Sequence, residues 1–187
     1  MEHDIIRSLF RPGLTGLAVM EPRPSPWLLC HPVHLVSLGF GSGLSPVAPG
    51  TAGTLAAWLL YPLLRAAPLS DTVFLILLLA CFVGGIFATH YTGKALGVPD
   101  HGAIVWDEMV AMWLVLFFTP PGLIWQAIAV ALFRLFDILK PPPIRQADSR
   151  FKNGFGVMFD DLLAAAYALL ALAVLVRLHA LLPETGF

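Results

Sequence analysis

Between residues 133 and 161, in FRLFDILKPPPIRQADSRFKNGFGVMFDD, charged side chains stand inside and between two apolar runs. Arg134, Asp137 and Lys140 recur at i, i+3 and i+6. That spacing stacks them along one side of a helix, the last drifting round by a fraction of a turn. Pro141, Pro142 and Pro143 stop the helix, because proline lacks an N–H and clashes with the preceding turn. Arg145, Arg150 and Lys152 follow in a polar connector, and Asp160 and Asp161 open the next apolar run. A second acidic pair, Asp107 and Glu108, opens an earlier one. A carboxylate in such surroundings needs a counter-charge or a metal. Arg134 and Lys140 can neutralise Asp137, but two cations do not balance five anions. An oxygen-ligated hard cation, Mg2+, completes the set, with Asp107, Glu108, Asp137, Asp160 and Asp161 as its candidate ligands and catalytic carboxylates. Neighbours on a helix point about 100° apart, so each acidic pair is expected to place one member on the ion and one behind it; which one stays open. A carboxylate-held cation beside lysine and arginine is apparatus for phosphoryl chemistry.

The elements that must hold these groups are apolar. The 187 residues are 58% hydrophobic and 12% charged, and mean hydropathy is +0.80. Soluble domains sit near about 45–50% and about 25%, so composition alone points to a membrane protein. Runs at 54–64, 72–89, 104–118, 123–139 and 157–182 read as about five helices of an all-α, multi-pass bundle. The first, broken by Pro62, is short and is either spanning or re-entrant. Residues 1–32 read as an irregular tail, in which Ile5, Ile6, Leu9 and Phe10 fit a short surface helix, and 33–187 as one membrane-embedded domain. If all five runs cross, one side collects Arg7, Arg11, Arg23, Lys94, Lys140, Arg145, Arg150 and Lys152, eight of the 11 basic residues. That bias marks the cytoplasmic side. The same parity brings all five carboxylates to that side.

Residues 39–53, GFGSGLSPVAPGTAG, carry glycine and proline at a density that rules out a regular helix and open on the same side. The stretch lacks Gly-Lys-Ser/Thr and is not a nucleotide P-loop. Ser45 and Thr51 place hydroxyls where a helix begins, with Thr51 or Thr54 as its N-cap, and the free N–H groups there suit an anionic oxygen. His101, beside Asp100, is a candidate proton donor or phosphate contact; Arg134, Lys140 and Arg145 are the candidate phosphate-binding cations. Trp106, Trp113 and Trp125 read as interface or packing residues, and Cys30 and Cys81 as inert. A net charge of −1 points to no nucleic-acid partner, and oligomeric state is not readable.

Four ordered segments, GFGSGLSPVAPGTAGTL at 39–55, HGAIVWDE at 101–108, FRLFDILKPPPI at 133–144 and NGFGVMFDD at 153–161, resemble the phosphatidylglycerophosphatase A family, and the resemblance covers residues 32–165. It implies a Mg2+-dependent phosphatase that removes the terminal phosphate of phosphatidylglycerophosphate to give phosphatidylglycerol, in an all-α bundle of the bacterial inner membrane. Other readings of the same residues are an ion- or proton-coupled transporter, which favours carboxylates near the bilayer midplane, and a lipid phosphotransferase.

Overall fold

The computed structural model describes residues 24–151 and 153–181, and every regular element among them is helical. The expected helix at Ile5 to Phe10, and Arg7, Arg11, Arg23 and Lys152, lie outside the described residues. A 3-10 turn, Pro26–Cys30, leads into α1, Pro32–Ser37, which opens on a proline whose missing N–H costs nothing at that position. A second 3-10 turn, Gly39–Leu44, contains the left-handed residues Phe40 and Gly41.

The glycine-rich stretch is not irregular to its end, as expected from composition. α2, Pro49–Ala66, begins within it and runs through Gly50, Gly53 and Pro62. Pro49 fixes the first helical φ, and the glycines, each costing about 1 kcal/mol against alanine, allow a close approach of neighbouring helices. The N-cap is Ala48 in the left-handed region, with no side-chain cap; neither Thr51 nor Thr54 fills that role. Thr54 is buried within the helix and donates to Gly50 O at 2.9 Å.

α3, Asp71–Leu96, is capped by Ser70 Oγ, which accepts from Val73 N–H, and closes at the left-handed Gly97, with Val98 N–H returning to Gly93 O. α4, Trp106–Phe118, is central: nine of its 13 residues are buried. α5, Leu123–Leu139, stops at Lys140, which is left-handed, and Pro141–Pro143 lead into α6, Ile144–Arg150. α7, Gly154–Leu181, starts where Gly156 N–H donates to Asn153 Oδ1. At Gly154 a β-carbon would collide with Ile86 O of α3, so α7 enters against bare backbone there.

Successive long helices run antiparallel. At one end lie the start of α2, the end of α3, the starts of α4 and α7, and the end of α5. Contacts across that end include Thr89 with Gly154, His34 with Thr92, and Lys140 with Asp160. The other end holds Arg65 against Asp71, with its guanidinium over the Phe74 and Phe117 rings, and Trp125 against His179. The core centres on Met109, Met112, Phe74, Phe133 and Met158, and the small residues Ala164, Ala165 and Ala168 bring α7 close. Trp106 and Trp113 are core residues, their indole N–H groups donating to Cys81 O and Ala57 O.

The five apolar runs lie largely within α2, α3, α4, α5 and α7, but among the described residues only α3 and α7 combine the length and composition needed to cross a membrane. Their 26 and 28 residues extend about 39 and 42 Å at about 1.5 Å per residue, against a hydrocarbon core of about 30 Å. α4, at about 20 Å, is shorter than that core. Ile76, Leu79, Phe87, Leu170 and Val174 project outward, so the faces turned away from the core are as greasy as the core itself.

Candidate active site

The first turn of α4 carries Asp107 and Glu108, the early part of α7 carries Asp160 and Asp161, and the last turns of α5 carry Arg134 and Asp137, with Lys140 as its C-cap. Asp107, Glu108 and Asp161 each offer a carboxylate oxygen within 4.8 Å of the others. Asp107 and Asp161 are only 7% and 3% exposed. One oxygen on each, Asp107 Oδ1, Glu108 Oε2 and Asp161 Oδ2, is buried without a hydrogen-bond partner. The positive end of the α4 dipole favours acids there by about 0.3–1 kcal/mol, up to about 2 in partly buried sites. Burying an ion costs several kcal/mol. A helix dipole therefore does not account for three clustered carboxylates from two helices, and the donor set fits a hard, oxygen-seeking cation.

The other two acids face cations. Lys140 Nζ donates to Asp160 Oδ2 at 2.5 Å. Arg134 Nη1 lies 2.5 Å from Asp137 Oδ2 and 3.7 Å from Glu108 Oε1. Arg134 Nη1 is thus ion-paired to Asp137, while Nε is buried without a hydrogen-bond acceptor. Asp137 also borders Asp161. The five acids thus divide: the α7 pair splits as helix phase predicts, one member to the cluster and one to a cation, whereas both members of the α4 pair reach the cluster. Glu108 manages this with the longer side chain.

The start of α2 closes the cluster from the side. A β-carbon at Gly50 would strike Glu108 Oε1. Thr51, half-buried, follows on that turn, and helix geometry leaves the N–H groups of a first turn without intrahelical acceptors. Gly50 had no place among the candidate residues; its signal was a glycine directly after a proline at a helix start.

Ser45 and His101 belong to a separate hollow of about 580 Å³, lined also by Ser25, Gly43 and Pro49. Ser45 Oγ donates to Val47 O, and buried His101 accepts from Ala103 N–H through Nδ1. Neither is brought onto the acidic cluster. Arg145 is exposed on α6 and makes no ion pair among the described residues. The triple proline is held by Tyr167 Oη, which donates to Pro142 O at 2.8 Å.

Residues 35–176 match the profile of the family described as Phosphatidylglycerophosphatase A. The chain is similar to a Haemophilus influenzae protein named Phosphatidylglycerophosphatase A, 50% identical over 144 residues, 76% of this chain and 87% of the relative. An Escherichia coli protein of the same name is 42% identical over 137 residues, 73% of this chain and 78% of the relative. A Bacteroides thetaiotaomicron protein, provisionally named a phosphatidylinositol-3-phosphatase, is 44% identical over 147 residues, 75% of this chain and 91% of that one. No solved structure matches the chain.

Proposed function

This chain belongs to the phosphatidylglycerophosphatase A family, and from that premise we propose that it is a Mg2+-dependent phosphatase converting phosphatidylglycerophosphate to phosphatidylglycerol. The observation that carries the reading is the convergence of three carboxylates, each with a buried oxygen that lacks a hydrogen-bond partner, beside an arginine whose Nε also lacks one. The relatives' two printed names differ in headgroup, but both describe loss of a phosphomonoester from a lipid.

Asp107, Glu108 and Asp161 would hold the ion. A bound divalent cation neutralises phosphoryl charge and eases deprotonation of water. Arg134, whose Nε is buried without an acceptor, donates to phosphoryl oxygens while Asp137 and Glu108 keep its side chain in place through Nη1. Lys140, steered by Asp160, adds a second positive charge on the same side, and the first-turn N–H groups of α2, which lack intrahelical acceptors, supply neutral donors. Held donors of this kind act where charge develops in the transition state.

The proposal includes a bacterial inner-membrane location with about five helices crossing and the site facing the cytoplasm; the positive-inside distribution of lysine and arginine supports it. Carboxylates gathered at one end of the bundle, rather than at mid-depth, do not favour the transporter reading. Inorganic phosphate released from phosphatidylglycerophosphate by purified protein is the test. Release that needs Mg2+ and stops with chelator supports the proposal; no release under either condition refutes it.

A further inference from the structure

A groove of about 230 Å³ opens between α3, α4 and α7, with Leu75, Leu79, Phe82, Ala111, Leu114 and Met158 along it. Its surface is apolar apart from one charged residue, Asp107. Asp107 is also a member of the carboxylate cluster. Along α4, the groove runs from Asp107 to Leu114, about 10 Å of helix axis. Antiparallel α3 follows it from Phe82 back to Leu75. The long axis of the hollow therefore starts at the acidic cluster and points toward the other end of the bundle, across about a third of a hydrocarbon core of about 30 Å.

We propose that this groove is the acyl-chain subsite of the lipid substrate, holding the first part of one chain while the phosphate lies at Asp107. The inference rests on the lipid-phosphatase reading above and deepens it. The occupant follows from three features. The void exceeds the cavity of about 150 Å³ that takes up benzene from water, so a stretch of alkyl chain fits. Ala111, 4% exposed, forms a floor too small to fill the space between the larger side chains. Leu79, 62% exposed, and Leu75, 37% exposed, make an outer lip on the lipid-facing side of α3, so a chain enters sideways from the bilayer without leaving apolar surroundings. The hollow at Phe118 and Arg177 lies at the opposite end from the carboxylates, and the hollow at His101 is not lined by the cluster. Neither meets these conditions.

Leu79→Trp and Leu75→Trp enlarge the lip without touching the core, and Ile76→Trp places the same bulk on the same helix outside the groove. The substrates are dioleoyl phosphatidylglycerophosphate and its deacylated headgroup. The two lip variants are expected to raise KM for the dioleoyl lipid about tenfold, the order set by lost burial of a methylene or two. They leave kcat/KM for the deacylated headgroup unchanged, and Ile76→Trp changes neither. Equal loss on both substrates, or no loss on either, overturns the subsite. Native mass spectrometry of the detergent-solubilised protein gives a readout independent of turnover: retention of dioleoyl phosphatidic acid by the parent and its loss in both lip variants supports the groove, and equal retention overturns it. If the parent hydrolyses neither substrate, the phosphatase reading fails, and the mass-spectrometric comparison alone decides the groove.

Discussion

Gly50 on α2 is seated against Glu108 on α4: a methyl group at position 50 would fall on Glu108 Oε1 and stand 3.1 Å from both terminal nitrogens of Arg134. The backbone of the glycine-rich segment is thus one wall of the acidic site. Gly50 lies within a helix, where alanine is intrinsically preferred by about 1 kcal/mol. Gly50→Ala is therefore expected to leave thermal stability in detergent within a few degrees of the parent while cutting kcat/KM about a hundredfold, the loss that a displacement of about 1 Å produces. Intact activity in a stably folded Gly50→Ala protein would show that Glu108 and Arg134 need not hold their present positions.

Division of the acids predicts opposite responses within one pair. Asp161→Asn removes a member of the three-carboxylate cluster and relieves repulsion, so the metal-free protein should be as stable as the parent or more so. Saturating Mg2+ should raise the Tm of the parent by binding the folded state, and in Asp161→Asn that rise should disappear. Asp160→Asn instead takes away the Lys140 partner. It should lower stability by about 1.5–3 kcal/mol, below the cost of breaking a fully buried pair, because Lys140 is 28% exposed, and it should keep the Mg2+-dependent rise. Thermal scans of the two variants with Mg2+ or chelator check this, and identical behaviour would remove the distinction.

How much of this was legible follows from where the information resides. Five carboxylates inside or beside apolar runs are conspicuous because they are expensive there, and the antiparallel order of the runs brings their ends together. The partner of each acid was less readable. Whether Asp160 or Asp161 faces the cluster depends on the phase of α7, set by the Asn153 cap and by Gly154 against Ile86, which are tertiary facts. The start of α2 was misplaced for a similar reason: glycine and proline weaken a helix locally, but packing against Glu108 and Val105 rewards their lack of bulk. Crossing number is not fixed by composition, since a buried central helix such as α4 is as apolar as a spanning one.

A pH response is expected at the α1–α3 contact. His34, 7% exposed, bonds Thr92 Oγ1 through Nδ1 at 2.9 Å and packs against the rings of His31 and Tyr91. Burial, and secondly the neighbouring His31, push its pKa below the ordinary 6.5. A folded-state pKa below the unfolded one means that the neutral ring is favoured by folding. This contribution is complete above pH 6.5 and declines as pH falls from there through the lowered folded value. Denaturant midpoints from pH 8 to 5 should fall for the parent and fall less for His34→Gln. Parallel curves would show that His34 does not titrate differently in the two states.

Arg134 offers the sharpest separation of charge from geometry. One guanidinium nitrogen, Nη1, lies 2.5 Å from Asp137 and 3.7 Å from Glu108, and Nε is still without an acceptor. A lysine at 134 carries the same charge but a single ammonium on a flexible stem, which cannot hold two carboxylates and present a planar fork to a phosphate at once. If Arg134 only balances the acids, Arg134→Lys should retain most activity. If its fork binds the transferring group, Arg134→Lys should lose about a hundredfold in kcat, the scale of removing one oriented donor from developing charge, with KM for the lipid little altered because the acyl groove is untouched. We expect the second outcome. Added guanidinium should partly restore turnover in Arg134→Ala and not in Arg134→Lys, whose ammonium still fills the space between Asp137 and Glu108.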